Sequence, residues 1–213
     1  MVRTFTFLFT LLLFVACGKS GGGSSSTGSN GSSIQKNEVN QTSNVPSGAL
    51  NFEVNLKLDN FSEQQEDKIL TAAELIKKVV ASEDFRTAIL NHKYRGKKIF
   101  VDNGGLSNAE IYKTIIEGSE DLLPGEDNEM DLDLEIFHRS DDTVGYTFPD
   151  EVKVWMNGKF LNKNTPAKVT TNMMHEWLHK LGFQHAVSKT SSRSFSVPYA
   201  VGYIVARLAQ KFN

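Results

Sequence analysis

The residues with the clearest chemical potential are His175-Glu176-Trp177-Leu178-His179-Lys180-Leu181-Gly182-Phe183-Gln184-His185. On a helix, positions four apart share a face, so His175 and His179 can reach one metal ion together. Glu176 is one residue further on, so its carboxylate stands beside the metal rather than on it. That placement suits a base acting on a metal-bound water. Gly182 follows the second histidine by three. Glycine takes the left-handed conformation that ends a helix, so the chain can turn and bring His185 back to the same ion. Three imidazoles leave a fourth position open, which is the arrangement of a catalytic zinc site rather than a structural one. Zinc brings the pKa of its bound water to about 7, so hydroxide is available near neutral pH.

The rest of the chain supports this assignment. The segment holds three of the five histidines, and no Asp or Glu follows Glu176. A downstream carboxylate cannot serve as a third ligand, which leaves His185. Two buried, hydrogen-bonded histidines near a helix end are the bland alternative. That alternative leaves the glycine, the third histidine and the glutamate without a role.

HExxHxxGxxH resembles the signature of the metzincin clan of zinc metallopeptidases, the group of astacins, serralysins and matrixins. The specific match covers 11 residues, and a weaker match in element order runs over 52–213. The resemblance implies one catalytic zinc held by His175, His179 and His185, with Glu176 as general base and then acid. It also implies a strand, a helix and further strands with an antiparallel edge strand at the cleft, followed by the zinc helix. It places the edge strand near 152–157, where an extended peptide substrate would pair with it by β-augmentation. One departure stands out. Metzincins carry a methionine in a tight turn below the metal, whereas here the methionines are 1, 130, 156, 173 and 174. Ser196-Val197-Pro198-Tyr199 is the best candidate for that turn, with Pro198 in the methionine's place. Tyr199 matches a tyrosine that sits close to the zinc in some members, where it could stabilise an oxyanion. A core tyrosine in a turn is an equal reading of the same residue.

The elements that must position this segment can be read from periodicity. Phe52, Val54, Leu56 and Leu58 alternate with polar residues, a strand pattern. Ser62 with Gln65 is a capping box, opening a helix whose apolar stripe includes Ile69, Leu70, Ala73, Ile76 and Val80. A shorter helix is expected over 83–91. Lys98 to Val101 is a strand candidate, 102–105 a turn, and Ser107 or Asn108 a cap for a helix through Ile111, Ile115 and Ile116. Val144–Phe148 and Val152–Asn157 read as two strands, with Trp155 on the face opposite Val152, Val154 and Met156. Thr165-Pro166 is a strong start for the metal-bearing helix. Val201, Ile204, Val205, Leu208 and Phe212 form a last helical stripe in a small C-terminal subdomain. The expected fold class is α+β, with a twisted mixed sheet in a zincin-like arrangement.

Residues 117–135 hold nine acidic side chains. Leu132, Leu134 and Ile136 alternate with carboxylates, as in a strand whose acidic face meets water. The sharper reading is a calcium site in the 126–135 region, since calcium takes several oxygen ligands, although no EF-hand spacing is present.

The first 50 residues differ in kind. Arg3 precedes the apolar run 4–16, which is too short to span a bilayer and fits a secretory signal peptide. Cys17 directly after Ala16 resembles the lipobox of bacterial lipoproteins, which implies acylation of Cys17 and a lipid anchor in the membrane. Phe14 departs from the usual Leu there, and Gly18 rather than Asp implies the outer membrane. Without lipidation of Cys17 the protein would be secreted or periplasmic. Residues 18–50 contain seven Gly and nine Ser and cannot bury enough surface to offset chain entropy, so they read as a tether with a reach of roughly 30 Å. The division expected is therefore 1–17 signal, 18–50 linker and 51–213 catalytic domain.

A formal charge of −2 argues against an electrostatic nucleic-acid binder, and one cysteine excludes a disulfide framework or a cysteine zinc finger. The expectation is a monomeric, envelope-tethered zinc metalloendopeptidase acting on peptides or proteins. Two alternatives stay open: an adhesion module with vestigial zinc, and a zinc hydrolase acting on peptidoglycan or another non-protein bond.

Overall fold

The computed structural model describes residues 51–123 and 125–212. The signal, Cys17 and the linker lie outside the described residues. Among the described residues no helix is long and apolar enough to cross a membrane.

The fold is mixed α/β. Strand β1 (Glu53–Asp59) leads into helix α1 (Glu63–Val80), then α2 (Glu83–Leu90) and α3 (Asn108–Glu117). Strands β2 (Glu129–Phe137), β3 (Gly145–Thr147) and β4 (Lys153–Asn157) follow. Helices α4 (Gly158–Lys163), α5 (Pro166–Lys180) and α6 (Val197–Ala209) complete the chain, with a 3₁₀ turn at Arg193–Phe195. The sheet order is β1-β2-β4-β3. The first three strands are parallel, and β3 runs antiparallel to β4.

Local signals explain the helix boundaries. Gln65 accepts a hydrogen bond from the Ser62 N–H at 2.9 Å, and Glu110 accepts from the Ser107 N–H at 2.7 Å, so two capping boxes start α1 and α3. Pro166 sits in the first turn of α5, where a missing N–H costs nothing.

The sheet is two-faced. Met130, Leu132 and Leu134 of β2 are buried with Val154 and Met156 of β4, together with apolar residues of α1 and α5. Phe52 meets Trp177 of α5 edge-on, with ring centroids 6.0 Å apart. The intervening carboxylates of β2 face the other way, as the alternation predicts. Lys57 pairs with Asp133 at 2.8 Å, and Lys153 reaches Asp59 at 2.8 Å and Glu135 at 2.9 Å. Trp155 shares that face and stacks on Tyr146, with centroids 5.1 Å apart.

Three expectations are corrected. The antiparallel edge strand is β3, not 152–157, because β4 is hydrogen-bonded on both sides, by β2 and by β3. Lys98–Val101 forms no strand; only Val101 makes an isolated bridge, to Ser196. Ser196–Tyr199 is no free-standing tight turn: Ser196 caps α6, and Pro198 and Tyr199 lie in its first turn. Proline presets φ for a helix start as readily as for a turn, so the two look alike in sequence.

Candidate metal centre

Helix α5 carries His175, Glu176 and His179 on adjoining positions of its last two turns. The helix ends in a Schellman motif. Phe183 N–H bonds the Leu178 carbonyl at 3.0 Å, and Gly182 N–H bonds the His179 carbonyl at 3.2 Å. Gly182 adopts φ +83°, a region that costs an ordinary L residue about 1–2 kcal/mol. Phe183 and Leu178 are both buried and supply the apolar contact that accompanies the motif. The reversal brings His185 back over the helix.

The three imidazoles converge. His175, His179 and His185 each offer one ring nitrogen within 4.8 Å of the others, and their ring centroids lie 4.9–5.1 Å apart. Nε2 of His175 and Nε2 of His185 are 3.2 Å apart.

Two of the rings are also held from behind by a backbone carbonyl. His179 Nδ1 donates to the Phe183 carbonyl at 2.7 Å, and His185 Nδ1 donates to the Ala186 carbonyl at 3.1 Å. A carbonyl can only accept, so these contacts put the proton on the nitrogen facing away from the centre. The inward nitrogens of His179 and His185 therefore present lone pairs to the centre. A separation of 3.2 Å between the Nε2 atoms of His175 and His185 is close to that of two nitrogens on one tetrahedral ion, so the donor set fits a metal ion. Burial works in the same direction. It holds His175 down to about 3, helped by His179 and His185, and His179 down to about 4 against the pull of its Phe183 bond. Both imidazoles are then neutral, as a ligand must be.

Glu176 is buried beside the triad, and Nδ2 of Asn172 donates to its Oε1 at 3.1 Å. Burial pushes its carboxyl up to about 7, against the opposing effects of Asn172 and Lys180. Gly145 of the edge strand lies against Asn172, and a Cβ there would come within 2.7 Å of the amide. The strand thus approaches α5 at the residue that holds Glu176. Tyr199 places its ring 4.4 Å from that of His175 and 4.8 Å from that of His185. The triad, Glu176 and Tyr199 all line one cleft of about 940 Å³.

Sequence reasoning missed several supports. Asn172 is four residues before Glu176, and that helical spacing was a usable signal. Glu120 accepts from the Trp177 indole and, at 3.1 Å, from the Asp131 N–H. Buried Lys180 donates to the carbonyls of Phe148, Glu151 and Lys153, tying the β3–β4 connection to α5. Arg193 also lines the cleft. None of these last three carries a local sequence signal.

In the acidic region, Asp127, Glu129 and Asp131 come within 4.8 Å of one another on the surface. The Asn55 amide donates to both Glu129 and Asp131, so the space between those two carboxylates is already bridged by a donor.

No protein-family model matches this chain, and no curated protein matches it.

Proposed function

We propose that the protein is a zinc-dependent metalloendopeptidase of the metzincin kind, tethered to the bacterial cell envelope through Cys17. The observation that carries this reading is a buried carboxyl, Glu176, beside three convergent imidazoles on the wall of an open cleft. A purely structural site has no use for a base at that position.

The donor set favours zinc. At Zn–N distances of about 2.0–2.1 Å, two nitrogens on one tetrahedral ion lie about 3.3–3.4 Å apart, close to the 3.2 Å between His175 and His185. Three nitrogen ligands with an open fourth position are characteristic of catalytic zinc. When bound, the ion would supply Lewis acidity that lowers the pKa of water and polarises a carbonyl.

The chain's own groups do the rest. Glu176 takes the proton of the attacking water and returns it to the leaving amine. A carboxyl poised near neutrality suits both transfers. Asn172 keeps the carboxylate aimed while it changes charge. The carbonyls of Phe183 and Ala186 hold His179 and His185 in the metal-binding tautomer. Tyr199 stands where its hydroxyl could donate to the developing oxyanion. The free edge of β3 flanks the cleft and suits an extended peptide adding to the sheet.

The test is zinc content measured with cleavage of a mixed peptide panel, using the full-length protein in detergent. One zinc per chain with hydrolysis by the wild type and hydrolysis reduced by orders of magnitude in Glu176→Gln supports the reading. Zinc without hydrolysis would favour a binding module instead.

A further inference from the structure

The cleft around the triad is electrically lopsided. Lys168, Lys189, Arg193 and Arg207 line it, opposed by Asp142 and Glu176. Among the described residues none of the four cations has a carboxylate within ion-pair distance, and Asp142 lies 3.8 Å from Lys159 instead. The lysines on the open face of the sheet behave differently: Lys57 and Lys153 each sit within 3 Å of a carboxylate. The contrast begins in the sequence, which has no acidic residue after Glu176.

Of these four cations, Arg193 is the one that lies over Tyr199. It opens the 3₁₀ turn Arg193–Phe195, and its guanidinium lies 4.9 Å from the centroid of the Tyr199 ring. Tyr199 in turn touches His175. The Nε of Arg193 is buried without a partner. A half-buried guanidinium stacked on an aromatic ring, with no anion beside it, is arranged to receive one. Its planar fork binds a carboxylate with two parallel hydrogen bonds. The three lysine and arginine side chains around it are exposed, so they act through the field along the cleft, steering anions inward in a salt-dependent way.

We propose that the cleft selects substrates bearing a carboxylate near the scissile bond, with Arg193 as the group that binds it. The substrate class is an acidic peptide, and the carboxylate comes either from an Asp or Glu side chain or from a free C-terminus. The inference rests on the peptidase reading for the word substrate, but carboxylate recognition is measurable by itself.

Binding is read by calorimetry on zinc-loaded full-length Glu176→Gln protein, so that turnover plays no part. Three peptides of one parent sequence are compared: capped and neutral, capped with one Glu, and neutral with a free C-terminus. At least one carboxylate peptide should bind about tenfold more tightly than the neutral one, the effect of one charge-assisted pair. The arm that gains identifies the source. The gain should vanish in Glu176→Gln/Arg193→Ala, shrink at high salt, and partly return with Arg193→Lys. Should Arg193→Ala fail to fold, exposed Arg207→Glu on the Glu176→Gln background must still weaken the acidic peptide more than the neutral one. Equal affinity for all three peptides overturns the proposal. Equal hydrolysis of neutral and acidic peptides by wild type overturns it too, while leaving the peptidase standing. Selective binding without any hydrolysis does the reverse.

Discussion

His179 donates from Nδ1 to the carbonyl of Phe183 across 2.7 Å. The bond joins a candidate metal ligand to the chain reversal that follows it. Phe183 is also the residue whose N–H closes the Schellman motif on Leu178. One turn therefore ends the helix, sets the tautomer of the second histidine and delivers the third.

That coupling makes Gly182 a test of the site as well as of stability. A Cβ there would fall 3.2 Å from Asp121 Oδ2, and the residue would be held at φ +83°. Gly182→Ala should destabilise the fold by about 1–2 kcal/mol, seen as a shift in the urea midpoint. Metal affinity should fall with it, because His185 is displaced. A destabilised variant with unchanged metal affinity would separate the turn from the triad.

Glu176→Gln should keep metal stoichiometry at wild-type level while peptide hydrolysis drops by about 10²–10⁴-fold, the usual contribution of a positioned general base. Paired metal analysis and kinetics check this. Wild-type turnover in that variant would remove Glu176 from the proton transfers.

His185→Ala removes an inward-facing nitrogen. The expected loss of zinc affinity exceeds the about 10–100-fold typical of losing a mere supporting hydrogen bond. Competition with a chromogenic chelator measures it, and a smaller loss would argue that the ion is held by α5 alone.

Glu120 gives a pH-dependent prediction. Burial raises its carboxyl above the ordinary range, only partly opposed by the Trp177 and Asp131 hydrogen bonds. The folded state thus keeps a proton that the unfolded chain has released. Its contribution to stability is greatest below the unfolded carboxyl's pKa and declines as pH rises through the raised folded value. Glu120→Gln retains an acceptor for Trp177 but cannot titrate. Unfolding of the metal-free proteins, followed from acid toward neutral pH, should show the variant gaining steadily on wild type. Parallel pH profiles would mean that Glu120 does not titrate differently on folding.

Much of the site was legible because its grammar is local. The four-residue step from His175 to His179, the glycine three residues later and the proline at the helix start are each decided within one or two turns of chain. The capping box at Ser62 was legible for the same reason, whereas the cap of α3 was narrowed only to Ser107 or Asn108. The alternation of Leu132 and Leu134 with carboxylates likewise identified which face of β2 meets the core.

What the sequence determined by itself, then, is the set of donors and the helix that spaces them, because backbone geometry converts residue intervals directly into shared faces. Tertiary structure alone decided the rest. Strand order depends on which backbones hydrogen-bond across long loops, so β3 rather than β4 became the free edge. Ser196 lies beside Val101, a segment far away in the chain, and stands as the cap of α6, so Pro198 and Tyr199 lie in a helix rather than a turn. Glu120 reached Trp177 only when remote segments were folded together. Sequence spacing carries no record of such encounters, because no single stretch of chain contains both partners.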